Sequence, residues 1–259
     1  MLGQKLVKLF LAKPGYEVHA LSRGENRIKQ QEGYQFHSID LLDKEALHSL
    51  LGRIEPGAII HTAAMTNVDA CELQPEDCDL MNIGLVRSLL AYCEPNGVYL
   101  VHLSTDFIFD GEKGTIYTEE DVANPVNHYG LSKWRSEELV RKSKVSHAIL
   151  RTILVYGMVD RNDRSNIVLW VKNSLEKGEV IRVVTDQLRM PTYAEDLAEA
   201  CFLAVRKRST GVFNVSSNTL MSIYEIALSV ADAFGLDKSL IRPVPTSDLS
   251  LPAKRPLLL

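Results

Sequence analysis

The chain has 259 residues, 46% of them hydrophobic, and 29 basic against 33 acidic side chains leave a net charge of -4. That is enough apolar material for a sizeable α/β core, with or without a small lobe. The charge balance argues against a nucleic-acid partner or a polybasic membrane surface, and no apolar run approaches the ~20 residues of a membrane span.

Residues 1–6 lack the charged, apolar and small-residue segments of a signal peptide, so the expectation is a cytoplasmic protein. Cys71, Cys78, Cys93 and Cys201 show no CxxC spacing. In a reducing compartment they read as buried free thiols, not metal ligands.

Leu2, Leu6, Leu9 and Phe10 recur at helical spacing, and Pro14-Gly15 ends that helix, so the sequence opens inside a helix. Residues 17–21 read as a short strand ending at Ser22-Arg23, residues 34–39 as another, and 43–54 as a helix capped by Asp43. Residues 57–61 and 98–103 are nearly pure apolar runs, the mark of strands buried on both faces. Between them, 75–93 has helical periodicity. Pro125 and Asn127 supply a break and an N-cap for a helix beginning near Tyr129. Past residue 151 the rhythm loosens, with helices expected at 166–177, 193–207 and 222–234 and strands at 180–185 and 211–215. Strands alternating with helices predict right-handed βαβ crossovers and a Rossmann-like, doubly wound parallel sheet. Ligands of such a sheet bind outside the carboxyl ends of its strands.

Those ends carry the chemistry. Tyr129 and Lys133 stand four residues apart at a helix start, which puts a phenol and an ammonium on one face. A neighbouring ammonium favours the phenolate and lowers the phenol's pKa from its ordinary ~10, as a proton donor to a ketone under reduction requires. The same pair also occurs on ordinary solvated helix faces, so the rest of the chain must decide. Ser104-Thr105-Asp106 follows the strand at 98–103, where a hydroxyl can hydrogen-bond a substrate carbonyl. Thr62-Ala63-Ala64-Met65-Thr66 follows the strand at 57–61, with side chains small enough for a flat cofactor to lie close to the backbone. Thr105, Tyr129 and Lys133, in that order, form the constellation of the short-chain dehydrogenase/reductase superfamily.

The resemblance becomes specific at Leu103-Ser104-Thr105-Asp106-Phe107-Ile108-Phe109-Asp110-Gly111, Tyr117-Thr118-Glu119-Glu120, Asn124-Pro125 and Tyr129-Gly130-Leu131-Ser132-Lys133. Arg151-Thr152, Val155-Tyr156-Gly157, Asp186-Gln187, the run from Pro191 to Ala198, and Lys254-Arg255-Pro256 extend it over nearly the whole chain. Together these blocks resemble the dTDP-4-dehydrorhamnose reductase family. The resemblance implies hydride transfer from a nicotinamide to C4 of a nucleotide-linked 4-keto-6-deoxy sugar, as in dTDP-L-rhamnose biosynthesis. Tyr129 would protonate the nascent alkoxide, Lys133 lower its pKa and hold the nicotinamide ribose, and Thr105 polarise the ketone. It also implies cofactor contacts at Gly3, Ser22, Arg23, Asp40, Leu41, Ala63, Ala64 and Thr66, and substrate contacts at Asp106, Phe107, Leu154 and Arg255. The domains expected are a dinucleotide-binding one, 1–155, and a mixed segment, 156–259, that completes the sheet and forms a substrate-binding lobe. The resemblance allows a homodimer.

Arg23 bears on the choice of dinucleotide. A ribose 2′-hydroxyl wants a carboxylate at the end of the second strand and a 2′-phosphate wants an arginine, so Ser22-Arg23 favours NADPH, with NADH as the alternative. Asp40 also reads as a turn or capping residue. Glu195 and Asp196 match a region where some relatives hold magnesium at a dimer contact. Two acids opening a helix are more simply explained by its dipole, so no metal is expected.

The sequence also departs from the pattern. Leu2-Gly3-Gln4 aligns with only the tail of the family's glycine-rich turn, and the first strand is missing, which reads as a fragment. Leu154 replaces a tryptophan that packs against the sugar in the family, and Phe107 stands where many members have tyrosine. Two other functions share these motifs: a nucleotide-sugar dehydratase or epimerase, and a noncatalytic NADP-binding relative resembling the regulatory β subunit of methionine adenosyltransferase. A dehydratase would want Glu after Asp106, where this chain has Phe107.

Overall fold

In the computed structural model, which describes residues 1–160 and 166–259, helix α1 (Leu2–Leu11) buries Leu6, Val7 and Phe10 along one stripe. Strands β1 (His19–Ser22) and β2 (Gln35–Ser38) follow. Helix α2 (Lys44–Ile54) starts where the Asp43 carboxylate accepts a hydrogen bond from the Ala46 N–H, as its sequence predicts. Strand β3 (Ala58–His61) is separated from β4 (Tyr99–Thr105) by α3 (Val68–Leu73), α4 (Pro75–Asp79), a π-helical turn (Leu80–Gly84) and α5 (Leu85–Asn96). The one helix expected over 75–93 is thus broken by a wide turn. That turn is a local device found often at functional sites. Next come α6 (His128–Lys142), β5 (His147–Thr152) and β6 (Val155–Tyr156). Then follow α7 (Ile167–Glu176), β7 (Ile181–Val184), β8 (Leu188–Arg189), β9 (Thr192–Tyr193) and α8 (Ala194–Lys207). The chain continues through β10 (Gly211–Val215), β11 (Met221–Ser222), α9 (Ile223–Phe234) and β12 (Ile241–Val244).

The central sheet is parallel, in the order β10-β5-β4-β3. Alternation along β4 feeds two cores. Leu100 packs with Leu47 and Leu51 of α2, Leu89 and Cys93 of α5 and Val140 of α6. Tyr99 and Val101 meet Leu6 and Phe10 of α1 and Ala198 and Phe202 of α8 on the opposite face. This two-sided burial explains the apolar run of β4 and makes the fold doubly wound, each fully buried leucine contributing about 1.5–3 kcal/mol. A third core joins α7, α9, β7 and β12 through Val171, Leu175, Ile181, Val183, Val230 and Ile241. Past residue 155, α8 packs on the sheet and β10 extends it, while α7, β7, α9 and β12 share a core of their own.

Strand β3 departs from expectation. Ala58, Ile59 and Ile60 are only half-buried, because β3 ends its sheet while β1 and β2 form a separate parallel pair. Among the described residues no strand lies between β1 and β3. Both line a cleft of about 960 Å³. No helix is long and apolar enough to cross a membrane among the described residues.

Candidate active site

The placement of α6 is set by its cap and by one glycine. Asn127 accepts a hydrogen bond from the Gly130 N–H through Oδ1 at 2.8 Å and donates through Nδ2 to the Lys254 carbonyl at 2.9 Å. A Cβ at Gly130 would collide with the Phe107 carbonyl oxygen. Only glycine lets the helix settle on the 3₁₀ turn Asp106–Ile108 that follows β4. That close approach brings Tyr129 beside Phe107, their rings edge-to-face at 5.7 Å, and within reach of Thr105.

Lys133 is 3% exposed, and its Nζ donates to the Leu103 carbonyl at 2.6 Å. Burial pulls its pKa down to about 8. The Tyr129 phenol is pushed up from its ordinary 10, because burial outweighs the opposing hydrogen bond with Thr105. This corrects the expectation that Lys133 lowers the phenol's pKa. One N–H of the ammonium goes to the Leu103 carbonyl, and burial favours the protonated phenol, the form a proton donor needs. Below Lys133, buried His61 and His102 stack with Nδ1 atoms 3.2 Å apart, and burial keeps both neutral, His61 down at about 3.

Thr105 Oγ1 donates to Asp106 Oδ1 at 2.9 Å. Asp106 is 5% exposed, its Oδ2 has no hydrogen-bond partner, and burial raises its pKa to about 6 against the pull of Arg189. Arg189 escaped the sequence reading. Its guanidinium donates to the carbonyls of Leu188, Pro256 and Leu257 and lies 5.7 Å from the Phe107 ring centre. Two further buried groups brace the site. Glu137 of α6 pairs with Arg151 of β5 at 2.9 Å, both almost wholly buried. Asn82, in the π turn, accepts from the Met65 N–H at 2.9 Å and donates to the Met65 carbonyl at 3.1 Å and to Ser132 Oγ at 2.9 Å. A polar residue within the apolar run Leu80-Met81-Asn82-Ile83 was the available signal for Asn82.

The structure gathers the cofactor candidates elsewhere. Gly3, Ser22, Arg23, Asp40, Leu41, Ala63, Ala64 and Thr66 all line the cleft between β1 and β3, whereas Thr105, Tyr129 and Lys133 do not. The two groups are one strand apart, since His61 of β3 pairs with His102 of β4. The cleft has the volume of a ligand pocket, about 300–1,000 Å³ in general. A Cβ at Gly3 would meet only Thr62 Oγ1, at 3.8 Å, so packing alone does not demand glycine there. Ser22 and Arg23 are exposed at the end of β1. Asp40 Oδ1 accepts from the Leu42 N–H at 3.0 Å, so its turn role is present too. At one end of the cleft Ala63 and Ala64 are small, and Ser22 and Arg23 offer a hydroxyl and a guanidinium that a dinucleotide could use, whereas Leu6, Phe10, Leu47, Leu51 and Leu89 line the rest.

Of the substrate candidates, Asp106 and Phe107 adjoin Tyr129. Leu154 lies two residues beyond Thr152, which pairs with Thr105, and takes a positive φ of 38°, a conformation uncommon outside glycine. Arg255 is tied to Asp69 of α3 at 2.9 Å and to the Ala253 carbonyl. Glu195 pairs with Lys5 of α1 at 2.6 Å. Among the described residues no group of three His, Cys, Asp or Glu side chains is arranged to hold a metal ion.

The family description "RmlD substrate binding domain" matches residues 1–258. The chain belongs to this family. The resemblance drawn from the blocks between Leu103 and Lys133 holds at that level. Family relatives differ in what their names say. Methionine adenosyltransferase 2 subunit beta of Rattus norvegicus is 32% identical over 99% of this chain and 75% of its own length. The probable low-salt glycan biosynthesis reductase Agl14 of Haloferax volcanii is 33% identical over 85% of this chain and 74% of its own. A solved dTDP-4-dehydrorhamnose reductase from Bacillus anthracis, in complex with NADP, matches with a TM-score of 0.83 at 26% identity, over 94% of this chain and 89% of that one.

Proposed function

We propose that this chain is an NADPH-dependent reductase of a nucleotide-linked 4-keto-6-deoxy sugar, with dTDP-4-dehydrorhamnose as the preferred substrate. The observation that carries the reading is Tyr129 beside Thr105 at the carboxyl end of β4, with Lys133 on the same helix. Gly3, Ala63 and Ala64 would line the dinucleotide, Arg23 would meet a 2′-phosphate, and Lys133 would reach the nicotinamide ribose. The nicotinamide, when bound, supplies the hydride. The chain's own residues manage the proton. Tyr129 keeps its proton in the buried site and releases it to the oxygen that becomes an alkoxide, while the Thr105 hydroxyl hydrogen-bonds that oxygen. Phe107 packs edge-to-face on Tyr129, and Arg189 lies over the Phe107 ring.

The test is loss of NADPH absorbance when the purified protein meets dTDP-4-keto-6-deoxy-L-mannose. No loss with this or any related 4-keto sugar nucleotide would sink the reading. A second reading is favoured by the 32% identity to a methionine adenosyltransferase β subunit: an NADP-binding subunit without turnover. It predicts quenched protein fluorescence on NADPH addition with no oxidation in the same assay.

A further inference from the structure

We propose that Cys71 and Cys78 form a dithiol that closes reversibly to a disulfide, a modification site seated against the helix that carries Tyr129 and Lys133. Cys71 stands near the end of α3 and Cys78 near the end of α4, with only Gln74 between the helices. Their sulfurs are 2.7 Å apart, against about 2.05 Å for an S–S bond, so closure needs little movement. Both side chains are fully buried. Burial pushes the Cys93 and Cys201 thiols up to about 12, and the Cys71 thiol is also held well above its ordinary value, so what sets Cys71 and Cys78 apart is that their sulfurs meet.

The pair touches both halves of the site. Cys78 Sγ lies 3.4 Å from Ser132 Oγ and accepts from Asn82 Nδ2 at 3.3 Å, and Cys71 Sγ lies 3.5 Å from the Met65 carbonyl. Ser132, between Tyr129 and Lys133, donates to the Tyr129 carbonyl at 2.8 Å. The sulfurs thus sit where the Ala63–Thr66 loop and α6 are tied together through Asn82. Cys78 Sγ, which meets both Cys71 Sγ and Ser132 Oγ, is the sulfur placed to attack, and its hydrogen bond with Cys71 holds its thiol below the ordinary value.

With hydrogen peroxide as oxidant, the Cys78 thiolate attacks one oxygen. An S–O bond forms, the O–O bond breaks, and the departing hydroxide takes a proton to become water. The Cys71 sulfur then attacks the sulfenic sulfur of Cys78. The S–S bond forms, the S–O bond breaks, and a second water leaves with the Cys71 proton. Two electrons pass from the sulfurs to peroxide, and a dithiol reductant reverses the change by exchange. Closure removes the Cys78 S–H that reaches Ser132 Oγ and so loosens one tie to α6. Slower turnover follows, a consequence that rests on the reductase reading.

The experiment treats the full chain with hydrogen peroxide, alkylates it unfolded and digests it with a protease that cleaves after glutamate, at Glu72 and Glu76. The expected result is one cross-linked pair carrying Cys71 and Cys78, two hydrogens lighter. Cys93 and Cys201 should be alkylated, and dithiothreitol should restore all four thiols. Cys71→Ser should abolish the cross-link and leave a Cys78 sulfenic acid that dimedone traps. Alkylation of both cysteines after peroxide, or unlinked Cys78 sulfinic acid, overturns the proposal. NADPH turnover should fall several-fold on oxidation and recover with dithiothreitol; a mapped disulfide without that change overturns the link to α6. A cross-link in a protein with no turnover in either state supports the disulfide site while sinking the reductase reading.

Discussion

Around Tyr129 polar groups are held by buried neighbours: Lys133 by the Leu103 carbonyl, Thr105 by Asp106, Arg189 by three carbonyls, Glu137 by Arg151. Around the cleft between β1 and β3 the corresponding groups, Ser22, Arg23, Asp40 and Thr66, are exposed, and the walls are the edges of two separate sheets. One region is buried and internally hydrogen-bonded, and the other is exposed. Substitutions near α6 should therefore cost rate or stability heavily, and those in the cleft should cost affinity modestly.

The largest effect expected is on rate. Tyr129→Phe removes the proposed proton donor's hydroxyl and keeps the ring against Phe107, so turnover should fall by about 10²–10⁴-fold while NADPH affinity, read by fluorescence titration, stays near wild type. Retention of more than about a tenth of wild-type turnover would move the proton donor elsewhere. Lys133→Met should lower rate and affinity together, because it removes the proposed ribose contact as well.

Arg151→Ala tests the buried region by stability. It leaves the Glu137 carboxylate buried without its main partner, a loss typically worth about 3–5 kcal/mol, to be read as a lower urea midpoint at unchanged m. An unchanged midpoint would mean that water or relaxation reaches Glu137 and that the region is looser than its contacts imply.

Asp106 adds a pH dependence. Its folded pKa, about 6, lies above its ordinary 3.8, so the folded state binds the proton more tightly. Stability from this group is fully present below pH 3.8 and is lost as pH rises through about 6. Asp106→Asn, which keeps an acceptor for Thr105, should match wild type near pH 3.5 and exceed it by about 3 kcal/mol above pH 6. Parallel stability curves for the two proteins would show that Arg189 already compensates the charge.

The same contrast explains what could be read from the sequence. Motif residues on α6 and after β4 were legible because glycine, cap and spacing each leave a local mark, as at Asn127 and Gly130. Strand β5 carries Arg151 within it, and that residue is buried only because it pairs with Glu137 of α6, a partner that no local pattern reveals. Arg189 was missed for a similar reason: its partners are carbonyls at residues 188, 256 and 257, which no spacing rule connects. The helix expected over 75–93 concealed the π turn because Leu80 to Gly84 keep helical composition while one extra residue shifts the hydrogen bonding. The phenol's pKa failed for a physical reason. A pairwise rule counted Lys133 and omitted burial, which wins in the folded site.

The smallest effect expected lies in the cleft, and it decides the dinucleotide. Arg23 is exposed at the end of β1, so its charge acts through solvent and a single contact there is worth little, as exposed charge pairs are. Arg23→Ala should weaken NADPH by between about twofold and fivefold, and this loss should shrink further as salt is raised. NADH, which lacks the 2′-phosphate, should titrate alike before and after the change. Identical NADPH curves would remove Arg23 from the site. An equal loss for both dinucleotides would show that the arginine shapes the β1 edge instead of reading the phosphate.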